Sequence, residues 1–361
     1  MLVHICCAVD SHYFLQKLRD DYPDEKLIGF FYDPNIHPFS EYYLRLLDVK
    51  RSCKLLGIDL IEGEYDTNGW LNAVRGYENE LEKGARCSIC FDNRFEVTAK
   101  KAKELGENIF TSTLLTSPKK SLTQLKTSGD ELAKKYNLKF IAPDYRSSHG
   151  TQEQNILAKR DKLYRQDYCG CLFGLTKQRE YQDRLADELF SPISKQIMPE
   201  SIEERVALYE TRCELEENNQ KYEIKKERFL NWRLLRGLVK CGNKVIASYF
   251  LPYSTLKKSY SRGKISWQGE IGYFDRDEIV FLTLAYYNQL SNSDYKSTKE
   301  LTFNPQTFDI EVKIRAEIIP NPYNLSTIVV VDEKFQDKFE ILCQSKAYED
   351  TQEILLTKNP Q

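Results

Sequence analysis

Apolar and polar residues follow two different rhythms along this chain, and the change of rhythm divides it in two. In the first half, short apolar runs at Leu2–Ile5, Leu27–Tyr32, Ile58–Ile61, Ile109–Thr113 and Leu138–Ile141 read as buried strands. Between them lie stretches with helical spacing, over about 11–21, 39–56, 87–105 and 121–136. On the helix over 39–56 the predicted apolar stripe is Tyr43, Leu46, Leu47 and Cys53 or Leu56. Strand–helix alternation with crossovers of this length predicts an α/β fold, a parallel sheet with helices on both faces. Reactive loops are then expected past the carboxyl ends of the strands, where Cys6, Cys7 and Asp10, Ser117 and Lys119, and Asp144–Arg146 fall.

From about residue 190 the pattern changes. Ser201-Ile-Glu-Glu204 is a capping box and predicts a helix over 201–217. Apolar runs at 234–240 and 245–251 flank Cys241-Gly-Asn-Lys and predict a hairpin, with further apolar segments at 279–287 and 326–331. The expected organisation is two domains. Residues 1–190 form the catalytic α/β domain and 195–361 a smaller β-rich domain with no visible catalytic motif.

Net charge is −2 over 361 residues, so the chain as a whole is not a polycation. The charge is unevenly spread. Residues 1–90 carry 10 Lys/Arg against 15 Asp/Glu, whereas 91–180 carry 17 against 11, which leaves room for a local basic patch. The start, Met-Leu-Val-His-Ile-Cys-Cys, has no basic leader, and no run is apolar enough to span a bilayer. A cytoplasmic protein without membrane contact is the expectation.

In that compartment ten cysteines do not read as a disulfide framework. Six fall into three tight pairs, Cys6-Cys7, Cys87-x-x-Cys90 and Cys169-Gly-Cys171, and Asp10 follows the first pair. Each pair offers two soft ligands to one centre, and Gly170 lets the backbone bend between the last two. A thioredoxin-like reading of Cys87-x-x-Cys90 leaves four thiols and Asp10 unexplained. Seven ligands exceed the four of one tetrahedral ion, but suit an iron–sulfur cluster on four thiolates plus a second metal on the remainder. Spacing alone leaves iron–sulfur and structural zinc both open. Cys53, Cys213, Cys241 and Cys343 are isolated and read as core residues.

Together, Cys6-Cys7-Ala-Val-Asp10, Asp33-Pro-Asn-Ile-His-Pro38, Gly84-Ala-Arg-Cys-Ser-Ile-Cys-Phe-Asp-Asn-Arg94, Thr111-Ser-Thr-Leu-Leu-Thr-Ser-Pro-Lys119 and Leu163-Tyr-Arg-Gln-Asp-Tyr-Cys-Gly-Cys171 resemble the QueH-type epoxyqueuosine reductases. The likeness runs unbroken over residues 1 to about 175. It departs in one place: Val9 stands where the family commonly has proline. The resemblance implies a HUP-type domain, a Rossmann-type three-layer fold related to the PP-loop ATP-binding enzymes. It implies cobalamin-independent deoxygenation of epoxyqueuosine to queuosine at the tRNA wobble position, with electrons from an external one-electron donor. It also implies a [4Fe–4S] cluster and one additional iron, for which Cys6, Cys7, Asp10, Cys87, Cys90, Cys169 and Cys171 supply all ligands, their division left open. Cys6-Cys7-Ala-Val replaces the glycine-rich phosphate turn of the PP-loop enzymes, so ATP is not expected.

On this reading Asp10 serves the second metal and Tyr168, or Tyr164, is the candidate proton donor. Lys119, Arg146, Lys159, Arg160 and Arg165 are candidate tRNA phosphate contacts. Lys225, Lys226, Arg228, Arg233 and Arg236 suggest a tRNA-gripping role for the second domain. The rivals are a colourless structural zinc protein and an ATP-dependent tRNA-thiolating enzyme.

Overall fold

The computed structural model describes residues 1–147, 149–189 and 196–357. They form two units, 1–189 with 205–224 and 355–357, and 196–204 with 225–354. The expected domain boundary, at 190–195, lies outside the described residues.

The first unit opens with β1 (Leu2–Ile5), α1 (Ala8–Asp21), β2 (Ile28–Phe31), α2 (Phe39–Leu56) and β3 (Asp59–Glu62). Then come α3 (Thr67–Ala73), α4 (Ala85–Glu104), β4 (Ile109–Ser112), a 3₁₀ turn over Thr113–Thr116, α5 (Leu122–Tyr136) and β5 (Lys139–Phe140). α6 (Gly150–Arg160), α7 (Leu172–Tyr181) and α8 (Ile202–Glu217) follow. The sheet order is β3-β2-β1-β4-β5, with every pair parallel. From β1 the chain runs outward to β3, then returns to β4 and runs the other way. Right-handed crossovers therefore place α1 and α2 on one face and α4 and α5 on the other, and the helices of each pair pack on one another. The strands are apolar on both sides because both faces are covered. Leu2, Val3, Ile5, Phe30, Phe31 and Phe110 are all buried.

One local difference from the sequence reading matters. α1 begins at Ala8 with Cys7 as its N-cap, so Asp10 belongs to the first helical turn rather than to a loop. A carboxylate there is favoured by the exposed N–H groups of the helix start. The helix expected over 121–136 is α5, and the turn at 117–120 precedes it. α5 is capped by Ser121, whose Oγ accepts the Gln124 N–H.

α2 is buried on two sides, which a single stripe did not anticipate. Tyr42, Leu46, Val49 and Cys53 join the core with the sheet, whereas Tyr43 is 37% exposed. The second side carries Glu41, Leu44, Arg45 and Asp48. It is covered by α8: Arg212, fully buried, pairs with Asp48 at 2.7 Å, and Tyr209 packs with Leu44 and Tyr164. Arg51 adds a two-pronged contact to Glu216 at 2.7 and 2.8 Å. These contacts explain why most of α8 belongs to the first unit, although the sequence reading gave it to the second. The capping box is present but shifted. Ser201 caps Glu204, whose carboxylate reaches the N–H of Glu200.

The second unit is built on an eight-stranded sheet of β6 (Tyr222–Cys241), β7 (Lys244–Ile246), β8 (Ser248–Phe250), β9 (Tyr260–Gln268), β10 (Ile271–Phe274), β11 (Val280–Thr283), β12 (Ile328–Val331) and β13 (Lys338–Thr357). Its order is β7-β6-β13-β9-β10-β11-β12-β8, with α9 (Leu284–Ser291), α10 (Thr298–Phe303) and α11 (Phe308–Ile318) between β11 and β12. The predicted hairpin exists, but the run 245–251 splits. β7 pairs with β6 whereas β8 pairs with β12 at the opposite edge. Alternating residues feed two cores, one around Phe281, Val329 and Ile341 and one around Leu282, Tyr287 and Val330.

Candidate active site

Cys6 and Cys7 follow β1, the central strand, and Asp10 lies one helical turn past Cys6. The Cys6 Sγ lies 3.9 Å from the Cys7 Sγ and 3.6 Å from the Asp10 Oδ2. The three ligand atoms lie within 4.8 Å of one another, and all three residues are buried. Thr113, past the end of β4, is at 3.5 Å from the Cys6 Sγ, and Gln154 of α6 donates to Asp10 Oδ1 at 2.7 Å. Burial raises the Asp10 carboxyl above its ordinary value against the pull of the Gln154 amide. The neighbouring Cys6 thiol, then burial, pushes the Cys7 thiol up. Two soft sulfurs and one hard oxygen thus converge where a cation would relieve the strain of three crowded acceptors.

The other four paired cysteines meet elsewhere. Cys87 and Cys90 lie on the first turns of α4, and Cys169 and Cys171 in the turn that caps α7. All four line one small cavity of about 20 Å³ with Asn35, Trp70, Arg86, Phe91, Arg94 and Lys120. Gly170 makes this turn possible: its φ is +99°, and its carbonyl accepts the His37 N–H at 2.9 Å. Arg45 fixes the turn from α2. Its guanidinium donates to the Tyr168 and Cys169 carbonyls at 3.0 and 3.3 Å and is held by Glu41 at 2.7 Å. Arg86 is as deeply placed, donating to the carbonyls of Tyr77, Glu78 and Glu80. A hydrogen bond from Cys171 lowers the Cys169 thiol well below its ordinary value, with help from the Lys120 ammonium. Burial raises Cys90.

Beside this cluster of thiols opens a larger cavity of about 320 Å³. Cys6 and Asp10 form part of its wall, together with Asp33, Arg45, Gln154 and Tyr168. Arg94, Lys120 and Cys169 belong to both cavities and form the partition between them. Asp33, just past β2, is 1% exposed; its Oδ1 is held by Arg94 Nη2 and its Oδ2 has no partner. Burial pushes its carboxyl up to about 7, against the pull of Arg94 and Arg45.

The family model for the epoxyqueuosine reductase QueH matches residues 1–177. The chain is 41% identical over 350 residues to the epoxyqueuosine reductase QueH of Helicobacter pylori, covering 92% of this chain and 94% of that protein. The chain belongs to the QueH family. That makes it a member of an oxidoreductase family rather than a purely structural protein. The QueH protein of Thermotoga maritima is 36% identical over 183 residues, which take in 50% of this chain and 92% of that one. Among solved structures, the U34-tRNA thiolase NcsA of Methanococcus maripaludis with its [4Fe-4S] cluster aligns over 59% of this chain and 72% of that one. The TM-score is 0.31 at 16% identity, too loose to bear on fold or function. No helix among the described residues is long and apolar enough to cross a membrane.

The structure distributes the remaining candidates of this QueH family member unevenly. Lys119, Arg165 and Tyr168 line the larger cavity. Arg146, Lys159 and Arg160 do not. Arg146 instead ties the loop after the 3₁₀ turn, donating to the Ser117 and Lys120 carbonyls at 2.8 and 2.9 Å. Arg160 is held by Asp161 at 2.9 and 2.7 Å, and Lys159 is exposed on α6. The Tyr168 hydroxyl already donates to the His37 carbonyl, and that of Tyr164 to Glu41. In this arrangement neither offers its proton to the cavity. Sequence reasoning missed Asp33, Arg45, Arg94, Lys120 and Gln154 as wall residues. Asp33 and Arg94 stand inside the quoted motifs and Lys120 follows Lys119, whereas Arg45 and Gln154 look like ordinary helix residues.

Proposed function

We propose that this protein reduces epoxyqueuosine to queuosine at the wobble position of tRNA, a deoxygenation that consumes two electrons and two protons and releases water. The observation that carries this reading is the pairing of two separate ligand sets on adjoining cavities that share Arg94, Lys120 and Cys169. The donor chemistry fits an iron–sulfur cluster on one set and a single iron on the other. Cys87, Cys90, Cys169 and Cys171 line one cavity with no carboxylate among its described lining residues, a set of four soft ligands. Cys87, Cys90, Cys169 and Cys171 would hold a [4Fe–4S] cluster, and Cys6, Cys7 and Asp10 the second iron. A cluster held there would supply single electrons taken from an outside donor, and an iron held by Cys6, Cys7 and Asp10 would supply Lewis acidity.

The protein's own residues do the rest. Gln154 holds Asp10 in one orientation and leaves its Oδ2 toward Cys6. The buried guanidinium of Arg45 fixes the Tyr168–Cys169 backbone, and Lys120 and Arg94 offset the negative charge of the thiolates. Lys119 and Arg165, on the wall of the cavity, meet tRNA phosphates as the wobble base leaves its stack to enter. In the second unit, Lys225, Lys226, Arg228 and Arg236 are exposed on β6 and offer a separate set of phosphate contacts, whereas Arg233 is tied to the Pro199 carbonyl. Cys6 and Cys7 stand in the loop after β1, and this reading includes no ATP step.

The test is anaerobic purification, iron and acid-labile sulfide analysis, and turnover of epoxyqueuosine-bearing tRNA with a chemical one-electron reductant. About five irons and four sulfides per chain, with conversion to queuosine, are expected. Zinc without sulfide after iron–sulfide reconstitution, or intact epoxyqueuosine, would refute it.

A further inference from the structure

Asp33 is the wall residue for which the metal sites give no explanation. It is 1% exposed, and Arg94 occupies only its Oδ1, leaving Oδ2 buried without a hydrogen bond. A buried carboxylate oxygen without a partner is free to accept a hydrogen bond from a bound group. Among the described residues, the wall of the larger cavity includes five cationic side chains, Arg45, Arg94, Lys119, Lys120 and Arg165, and only two carboxylates, Asp10 and Asp33. Such a wall suits phosphate and repels a cation. Epoxyqueuosine nevertheless carries one. Its epoxycyclopentane ring is joined to the 7-deazaguanine through a secondary alkylamine, protonated at neutral pH. With the epoxide at Cys6 and Asp10, that ammonium lies inside the cavity on the same small ring. Asp10 is engaged by Gln154 and by the Cys6–Cys7 ligand set. Asp33 alone remains to receive it.

We propose that Asp33 is a substrate-binding residue whose Oδ2 accepts the N–H of the protonated amine linking the epoxide ring to the base. This rests on the epoxyqueuosine reading of the cavity. Arg94 then has a second role as a positioning residue. It holds Oδ1 and so turns the free oxygen, while its Nε lies 3.3 Å from the His4 Nε2 of β1. His4 is itself fixed by Ser112 at 2.8 Å.

The experiment is a binding series with the metal-loaded protein and three anticodon stem-loops, carrying at the wobble position guanine, 7-aminomethyl-7-deazaguanine or queuosine. The probes need no turnover. Wild type is expected to bind both amine-bearing loops about 10- to 100-fold more tightly than the guanine loop, the range of one charge-assisted hydrogen bond. Asp33→Asn keeps the size and the Oδ1 acceptor for Arg94. It is expected to bind the guanine loop as wild type does and to lose that preference, with iron and sulfide contents unchanged. Preference retained in Asp33→Asn would overturn the assignment. So would equal weakening toward all three loops or loss of iron, which mark a structural role. A preference for the queuosine loop alone would assign Asp33 to the ring diol instead of the amine. If wild type itself does not discriminate, the epoxyqueuosine reading fails and this one with it.

Discussion

Gly170 offers the sharpest test of how the backbone builds the four-thiol cavity. Its φ of +99° is a conformation that a residue with a Cβ rarely adopts, at a cost of about 1–2 kcal/mol. A Cβ added there would meet Ile36 Cγ1 at 2.7 Å, with Ile36 Cα and Arg45 Nη1 at 3.2 Å. The turn cannot simply retreat, because Ile36 and Cys171 form a backbone bridge and the Gly170 carbonyl holds the His37 N–H. Overpacking of this kind adds about 1–3 kcal/mol. Gly170→Ala should therefore destabilise the first unit by about 3 kcal/mol in all. For a unit of roughly 200 residues that lowers Tm by about 6–12 °C. Because Cys169 and Cys171 flank the glycine, sulfide content after reconstitution should also fall. Gly57 is the control: its φ is +63°, but nothing lies within 4 Å of its would-be Cβ. Gly57→Ala should cost only about 1 kcal/mol and leave the metal content alone. Thermal unfolding and sulfide analysis of both variants decide the matter. If Gly170→Ala matched Gly57→Ala in both, the turn would not be the rigid frame described above.

Three more outcomes follow from the geometry. Asp10→Ala should lose about one iron of about five and keep its sulfide, whereas Cys90→Ser should lose sulfide; parallel losses would show the two ligand sets to be one. Lys120→Met should shift the potential of the reconstituted cluster negative by on the order of tens of millivolts, read by a spectroscopic redox titration, and Lys120→Arg should restore it. An unmoved potential in Lys120→Met would deny the ammonium its role beside the thiolates. Glu311 of α11 is fully buried beneath Tyr249, Tyr287 and Gln196, and burial pushes its carboxyl up to about 7. With the folded value above the unfolded one, its protonated form stabilises the second unit at acid pH. That contribution, on the order of 3 kcal/mol, is lost as pH rises from about 4.3 to about 7. The Tm of Glu311→Gln minus that of wild type should therefore grow between pH 5 and 8, and parallel pH profiles would refute the assignment.

How much of this was legible in the chain depends on the range of the interaction concerned. The strands and helices of the first unit followed from local hydrophobic rhythm, because a sheet covered on both faces makes each strand a continuous apolar run. The three cysteine pairs were equally plain, since neighbours in sequence cannot be far apart in space. Their division was not. Cys87 and Cys90 meet Cys169 and Cys171 only because α4 and the turn before α7 pack around Trp70, a contact between residues about 80 positions apart. The same holds for Arg45, which is an ordinary residue on α2 until the chain returns and places the Tyr168 and Cys169 carbonyls over its guanidinium. α8 joined the first unit through Arg212 and Asp48, a buried pair that no local pattern announces. Asp33 is the clearest case. As a residue after a strand and before a proline it reads as a turn, and only the fold buries it, pairs one oxygen with Arg94 and leaves the other without a partner. Sequence determined which ligands the protein owns, because ligand chemistry resides in single side chains. Tertiary structure decided which of them lie together and what lines the space between, because distance and burial are properties of the packed chain alone.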